Sequence, residues 1–188
     1  MTAEGGAVLD VGCGCGTTTV ALAAAGGAGG TVLGVDLSAA MLARAEERAA
    51  ASGASQVRFR RADAQSADLG AGSFDLVFSR FGVMFFADPI AGFANLRRAL
   101  RPDGRMVFVC WQTPSANPWM AVLNRAAARM FGLDGPPHDA PGPFSLADPE
   151  RIAAVLDAGG FRTVEIAAHE ERLHLASRAF STCRGDVC

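Results

Sequence analysis

A chain of 188 residues, half of them hydrophobic, is long enough for one domain with a sizeable core and too apolar for a disordered segment. Seventeen basic residues face nineteen acidic ones with no basic run, so there is no phosphate-tracking stripe and nucleic acid is not expected as a partner. The uncharged stretch Val11 to Val35 is long enough to span a bilayer, but the pairs Gly26-Gly27 and Gly29-Gly30 break it into strand, helix and turn, so no membrane span is expected.

No basic segment precedes an apolar one as in a secretory signal, which favours the cytoplasm, where thiols stay reduced. Every basic residue is arginine, and Ala and Gly abound, a composition that fits a GC-rich bacterial genome. The five cysteines match no metal-ligand spacing. Cys13 and Cys15 alternate with glycine in one loop, Cys110 lies in an apolar run, and Cys183 and Cys188 lie in a polar tail.

In chain order, the first apolar run is Ala7 to Val11, followed by a helix over Thr17 to Ala25 that Gly26 stops. The second run is Thr31 to Val35. Ser38 then caps a helix through Ala51 that ends near Gly53. Runs three and four are Val57 to Arg60 and Phe74 to Ser79. Asp88-Pro89 opens a helix whose face is Ile90, Phe93, Leu96 and Leu100, and a turn over Arg101 to Gly104 closes it. The fifth run is Met106 to Trp111. Five strands separated by helices predict a doubly wound α/β domain with a mostly parallel sheet, whose ligands lie beyond the carboxyl ends of the strands. After Trp111 the sequence predicts a helix over Asn117 to Phe131, a Pro- and Gly-rich loop over Gly132 to Pro143, a helix from Asp148-Pro149 to Ala158, and a long strand over Thr163 to Leu175. The chain reads as a single domain over 1–188, with a cofactor-binding core in 1–112 and a partial substrate-side and C-terminal region in 113–188.

VLDVGCGCG (Val8 to Gly16) runs a buried strand into a loop with Gly12, Gly14 and Gly16. Such a loop lets a ligand lie against the backbone, and the helix after it aims free N–H groups at the same place. An ordinary Gly-rich strand–helix turn is the alternative. Asp36 ends the second strand, where a carboxylate accepts both hydroxyls of a ribose; its competing role is an acid at the start of the next helix. Its carboxylate is expected to face the ligand and do little for the fold. Asp63, in RADAQ after the third strand, is placed to accept from an adenine amino group, or else is a solvated loop acid. A nicotinamide dehydrogenase fingerprint needs a Gly or Ala three residues after its second glycine. Thr17 and Thr19 occupy that place in the two registers, which leaves a nicotinamide-dependent dehydrogenase a distant alternative.

With these motifs the chain resembles the class I S-adenosylmethionine-dependent methyltransferases, in particular the small-molecule branch of the ubiquinone/menaquinone-biosynthesis type. VLDVGCGCG resembles the family's first motif, GVDLSAAML (Gly34 to Leu42) its second, and RADAQ the adenine-side motif. FDLVFSRFGVMFF (Phe74 to Phe86) and LRPDGRMVFV (Leu100 to Val109) resemble its fourth-strand and fifth-strand motifs. The resemblance implies S-adenosyl-L-methionine as cofactor, a Rossmann-like methyltransferase core, and methyl transfer to a small-molecule acceptor. It implies that Asp10, Gly12, Cys13, Gly14 and Gly16 hold the methionine end and Asp36 the ribose. Leu37 and Met41 would pack on the adenosine, Asp63 and Ala64 meet the adenine, and Ser79 lie near the methyl group.

An activated methyl needs an acceptor held close and dry rather than an obvious catalytic dyad, so no catalytic base is assigned. Arg80, Phe81, Met84, Phe85, Trp111 and Trp119 are candidates for the acceptor side, each with core packing or a surface ion pair as its alternative. His138 is the one histidine near a plausible lid, and His169 and His174 lie further away. Members of this family usually carry N-terminal helices and a seventh, antiparallel strand, and neither is legible here. The chain is therefore expected to be a fragment or an eroded copy of a longer enzyme, with weak cofactor binding and self-association through an unpaired strand edge. A truncated, non-catalytic remnant is the alternative function.

Overall fold

The structure, a computed structural model, describes residues 5–132 and 140–171. His138, His174, Cys183 and Cys188 lie outside the described residues.

Five strands form a single sheet: β1 (Ala7–Val11), β2 (Thr31–Asp36), β3 (Val57–Arg61), β4 (Phe74–Arg80) and β5 (Leu100–Val109). Their order is β3-β2-β1-β4-β5 and every neighbouring pair is parallel. The chain steps outward from β1 to β3, then crosses back to β4 on the other side of β1. That reversal opens a crevice between the carboxyl ends of β1 and β4, the place where such sheets bind ligands.

Helices α1 (Thr17–Gly26) and α2 (Ala39–Ala51) cover one face through Ala23 and Ala49, packed on Val8, Val32 and Leu76. Helices α3 (Pro89–Ala99) and α5 (Pro149–Ala158) cover the other through Phe93, Leu96, Ile152 and Leu156. A further helix, α4 (Pro118–Phe131), follows β5. Layers on both faces explain why the inner strands read as continuous apolar runs rather than alternating ones. Leu9, Val35 and Val77 are wholly buried, and each contributes about 1.5–3 kcal/mol relative to exposure.

Local chemistry fixes the helix starts. Ser38 Oγ accepts from Met41 N, Asp88 Oδ1 from Ala91 N, and Asp148 Oδ1 from Glu150 N, each satisfying an N–H with no helical partner. Pro89 and Pro149 follow their aspartates at the first helical position.

Two sequence expectations are corrected. Arg101 to Gly104 is not a free turn, because β5 already begins at Leu100 opposite Phe74 and resumes with Arg105 opposite Leu76. The intervening residues bulge out of a strand that is paired on both sides of them. The sequence predicts a long strand over Thr163 to Leu175, yet residues 163–171 carry none, and 172–175 lie outside the described residues. Val164 and Ile166 alternate as in a strand but stay exposed, and among the described residues no neighbouring strand supplies a ladder for them.

Candidate active site

Where β1 ends, the backbone turns left-handed at Gly12, Gly14 and Gly16. Two of these glycines serve different needs. A Cβ on Gly12 would stand 2.7 Å from Gly82 Cα, so the loop leaving β1 rests directly on the loop leaving β4. A Cβ on Gly14 would meet nothing within 4 Å; it would project into the open crevice, where a ligand can lie against bare backbone. The loop is fixed from outside. Val35 O accepts from Gly12 N at 2.9 Å and Cys13 N at 3.1 Å, and Arg48 Nε donates to Cys15 O at 2.9 Å.

Asp36, at the end of β2, braces this loop. Its Oδ2 accepts from Gly14 N at 2.9 Å and its Oδ1 from Ser38 N at 2.8 Å. The carboxylate thus joins the Gly loop to the start of α2, and both competing sequence readings describe part of it. Each oxygen takes one backbone N–H and keeps acceptor capacity for a ligand hydroxyl. Beside it Leu37 is 64% exposed and Met41 40% exposed, an apolar shelf at the crevice.

Beyond β3, Asp63 is exposed and organises its own loop, accepting from Gln65 N at 2.9 Å and Ser66 Oγ at 3.4 Å. Ala64 is buried, and its carbonyl accepts from Asn95 Nδ2 at 2.9 Å. Gln65 Oε1 accepts from Asp88 N at 2.8 Å, so α3 holds the far wall of the crevice.

Asp10 lies beneath the loop, almost wholly buried, and accepts a 2.7 Å hydrogen bond from Thr19 Oγ1 of α1. Burial pushes its carboxyl up to about 6, against the pull of the Thr19 hydroxyl and the Arg80 charge, and the Asp36 charge adds to the rise. Burial also pushes the Cys13 thiol up to about 12, aided by the charges of Asp10 and Asp36. Cys13 is therefore a packing thiol, not a thiolate.

On the β4 side, Ser79 is completely buried. Its hydroxyl donates to Val11 O at 2.8 Å and accepts from Gly82 N at 3.2 Å and Val83 N at 3.3 Å. Its hydroxyl is fully engaged in tying β4 to β1 and to the turn after β4. Met84 is likewise core, under Ser145, whose Oγ donates to Met84 O at 2.6 Å. Arg80 and Phe85 are exposed. Phe81 stacks on Trp111 with ring centres 4.3 Å apart and planes 8° apart, and Trp119 meets Trp111 edge-on at 5.7 Å.

Sequence reading missed Thr19, Gly82 and Ser145. Gly82 carried a signal in the FGV that follows β4: a Cβ there would fall 2.5 Å from Val11 O. Thr19 and Ser145 find their partners only through the fold.

An adenosyl donor fits this arrangement, with a bare-backbone loop, a carboxylate with acceptor capacity to spare, and an apolar shelf in a row. Residues 8–104 match the family model for a methyltransferase domain. The chain is 34% identical to nocamycin O-methyltransferase of Saccharothrix syringae, over 82% of this chain and 53% of that one. It is 33% identical to a demethylmenaquinone methyltransferase of Deinococcus radiodurans, over 70% of this chain and 58% of that one. The chain thus spans about half the length of the curated relatives it matches. Among solved structures, phosphoethanolamine N-methyltransferase 2 of Haemonchus contortus, in complex with S-adenosyl-L-methionine, superposes with a TM-score of 0.61 at 29% identity, over 85% of this chain and 34% of that one. Motif order, strand order and these likenesses agree, and the chain belongs to the S-adenosylmethionine-dependent methyltransferases of the class I, Rossmann-like fold.

Proposed function

We propose that this chain transfers the methyl group of S-adenosylmethionine to a small-molecule acceptor. The observation that carries the reading is the Gly14–Asp36 brace opening onto the exposed shelf of Leu37 and Met41. When bound, the cofactor supplies a methyl group already activated on a sulfonium, so the protein's task is positioning and exclusion of water. The methionine end lies against the bare backbone of Gly12 to Gly16, whose N–H groups at Gly12, Cys13, Gly14 and Gly16 already hold the loop in shape, with Asp10 tying β1 to α1 beneath it. Asp36 accepts the ribose hydroxyls, Leu37 and Met41 pack against the adenosine, and Asp63 and Ala64 receive the adenine. Gly12 on Gly82 brings the donor loop into contact with the β4 loop, and so sets the donor beside Arg80, Phe81, Phe85, Trp111 and Trp119. Met84 and Ser79 support that wall from beneath. Residues 1–112 form the donor half, and 113–188 contribute to the acceptor side.

Nocamycin and demethylmenaquinone, the compounds in the relatives' names, are small molecules, which supports the same class here. The test is transfer of a tritiated methyl from the cofactor into a metabolite library, tRNA and DNA in parallel. The expected result is label in a small molecule. Label in tRNA or DNA alone would overturn the acceptor class. Cofactor binding with no transfer to any acceptor would favour a non-catalytic remnant.

A further inference from the structure

Phe81 is the one non-glycine residue among the described residues with a left-handed backbone, at φ 65°. For a bulky side chain that conformation is uncommon and unfavourable, and it persists where the surroundings over-determine it. They do so here. Phe81 N donates to Val109 O at 2.9 Å, fixing the residue to the end of β5. The next residue, Gly82, is pressed against Gly12 and Val11. The strained turn lays the Phe81 ring flat on Trp111, and Trp119 closes the set edge-on from α4.

Three rings thus assemble beyond the carboxyl ends of β4 and β5, one residue from the contact with the donor loop. Phe81 and Trp111 pack on the core only in part, and Trp119 is partly open to solvent. A wall needed only for packing would be served by aliphatic side chains without a strained backbone. A flat, π-rich wall discriminates between ligands of equal size by whether they stack.

We infer that Phe81, Trp111 and Trp119 form a stacking platform, positioned by the left-handed Phe81, that selects a planar aromatic acceptor over a saturated one built on the same skeleton. This rests on the reading of the chain as a small-molecule methyltransferase.

The probes are 2-naphthol and decahydro-2-naphthol, which share a skeleton and a hydroxyl but differ in aromaticity. Binding of each is measured by calorimetry to the full chain saturated with S-adenosylhomocysteine, whose own affinity is measured first. The expected result is a preference for 2-naphthol of roughly five- to tenfold, the size of an aromatic stacking contribution. Phe81→Leu keeps the bulk and the backbone demand, and should reduce that preference to about twofold or less, with saturation by S-adenosylhomocysteine established anew for the variant. Trp119→Leu, on an exposed helix face, is the second variant and should weaken 2-naphthol selectively. Equal affinities for the two probes, or a preference that survives both substitutions, would overturn the platform. Failure of S-adenosylhomocysteine to bind would instead strike the function proposed above.

Discussion

Asp10 lies beneath the Gly loop and Asp36 braces it from the end of β2. Asp10 is buried with its folded pKa raised from 3.8 to about 6, so the folded state holds its proton more tightly than the unfolded chain does. Folding stability from this group is therefore fully present below about pH 4 and declines as pH rises through about 6, by about 3 kcal/mol in all. Asp10→Asn keeps an oxygen for the Thr19 hydroxyl and removes the ionisation. Denaturant unfolding from pH 4 to 8 should find the variant more stable than the parent at pH 8, by about 1–3 kcal/mol, with the gap closing toward pH 4. Parallel pH profiles would refute the buried charge. Sequence leaves Asp36 a ribose acceptor or an acid at the start of α2, with little expected effect on the fold, but its two oxygens hold Gly14 N and Ser38 N. Asp36→Ala should weaken donor binding by about 2–4 kcal/mol and also lower fold stability by about 1–2 kcal/mol, because two N–H groups lose a charged acceptor. Chemical denaturation beside calorimetry separates the two effects. A variant with native stability and lost affinity would return Asp36 to a purely ligand-facing role.

At the scale of elements, the site is a crossing of two loops. Gly82→Ala would set a Cβ 2.5 Å from Val11 O, a backbone atom that cannot swing away. It should cost several kcal/mol and raise the protein's sensitivity to proteolysis. Gly14→Ala meets open space and carries only the left-handed penalty, about 1 kcal/mol; it should fold and yet fail to bind the donor, because the methyl occupies the cradle. Equal loss of stability in the two variants, read by thermal melting, would mean that the loops do not cross as described. The same distinction shows what sequence makes legible. The strands, the caps at Ser38, Asp88 and Asp148, and the Gly loop were readable because each rests on a pattern within a few residues. The bulge over Arg101 to Gly104 was not, since it exists only because β4 pairs on both sides of it. The role of Ser79 was hidden for the same reason: its hydroxyl acts on β1, 68 residues away in sequence. Thr163 to Glu171 shows the opposite failure, a strand-like alternation with no partner strand among the described residues.

For the whole molecule, β5 ends the sheet among the described residues, with Val107 and Val109 exposed. An unpaired apolar edge invites pairing with another copy, so we expect concentration-dependent association, visible by analytical ultracentrifugation and reduced by Val107→Lys. A monomer at every concentration would remove this expectation without touching the site. The central claim is that the crevice between β1 and β4 takes an adenosyl methyl donor. Calorimetric titration with S-adenosylmethionine, S-adenosylhomocysteine and NAD tests it most directly. The account expects one site per chain for each of the first two ligands, a melting temperature raised by a few degrees at saturation, and no binding of NAD; binding of NAD with no heat from either sulfur ligand would contradict it.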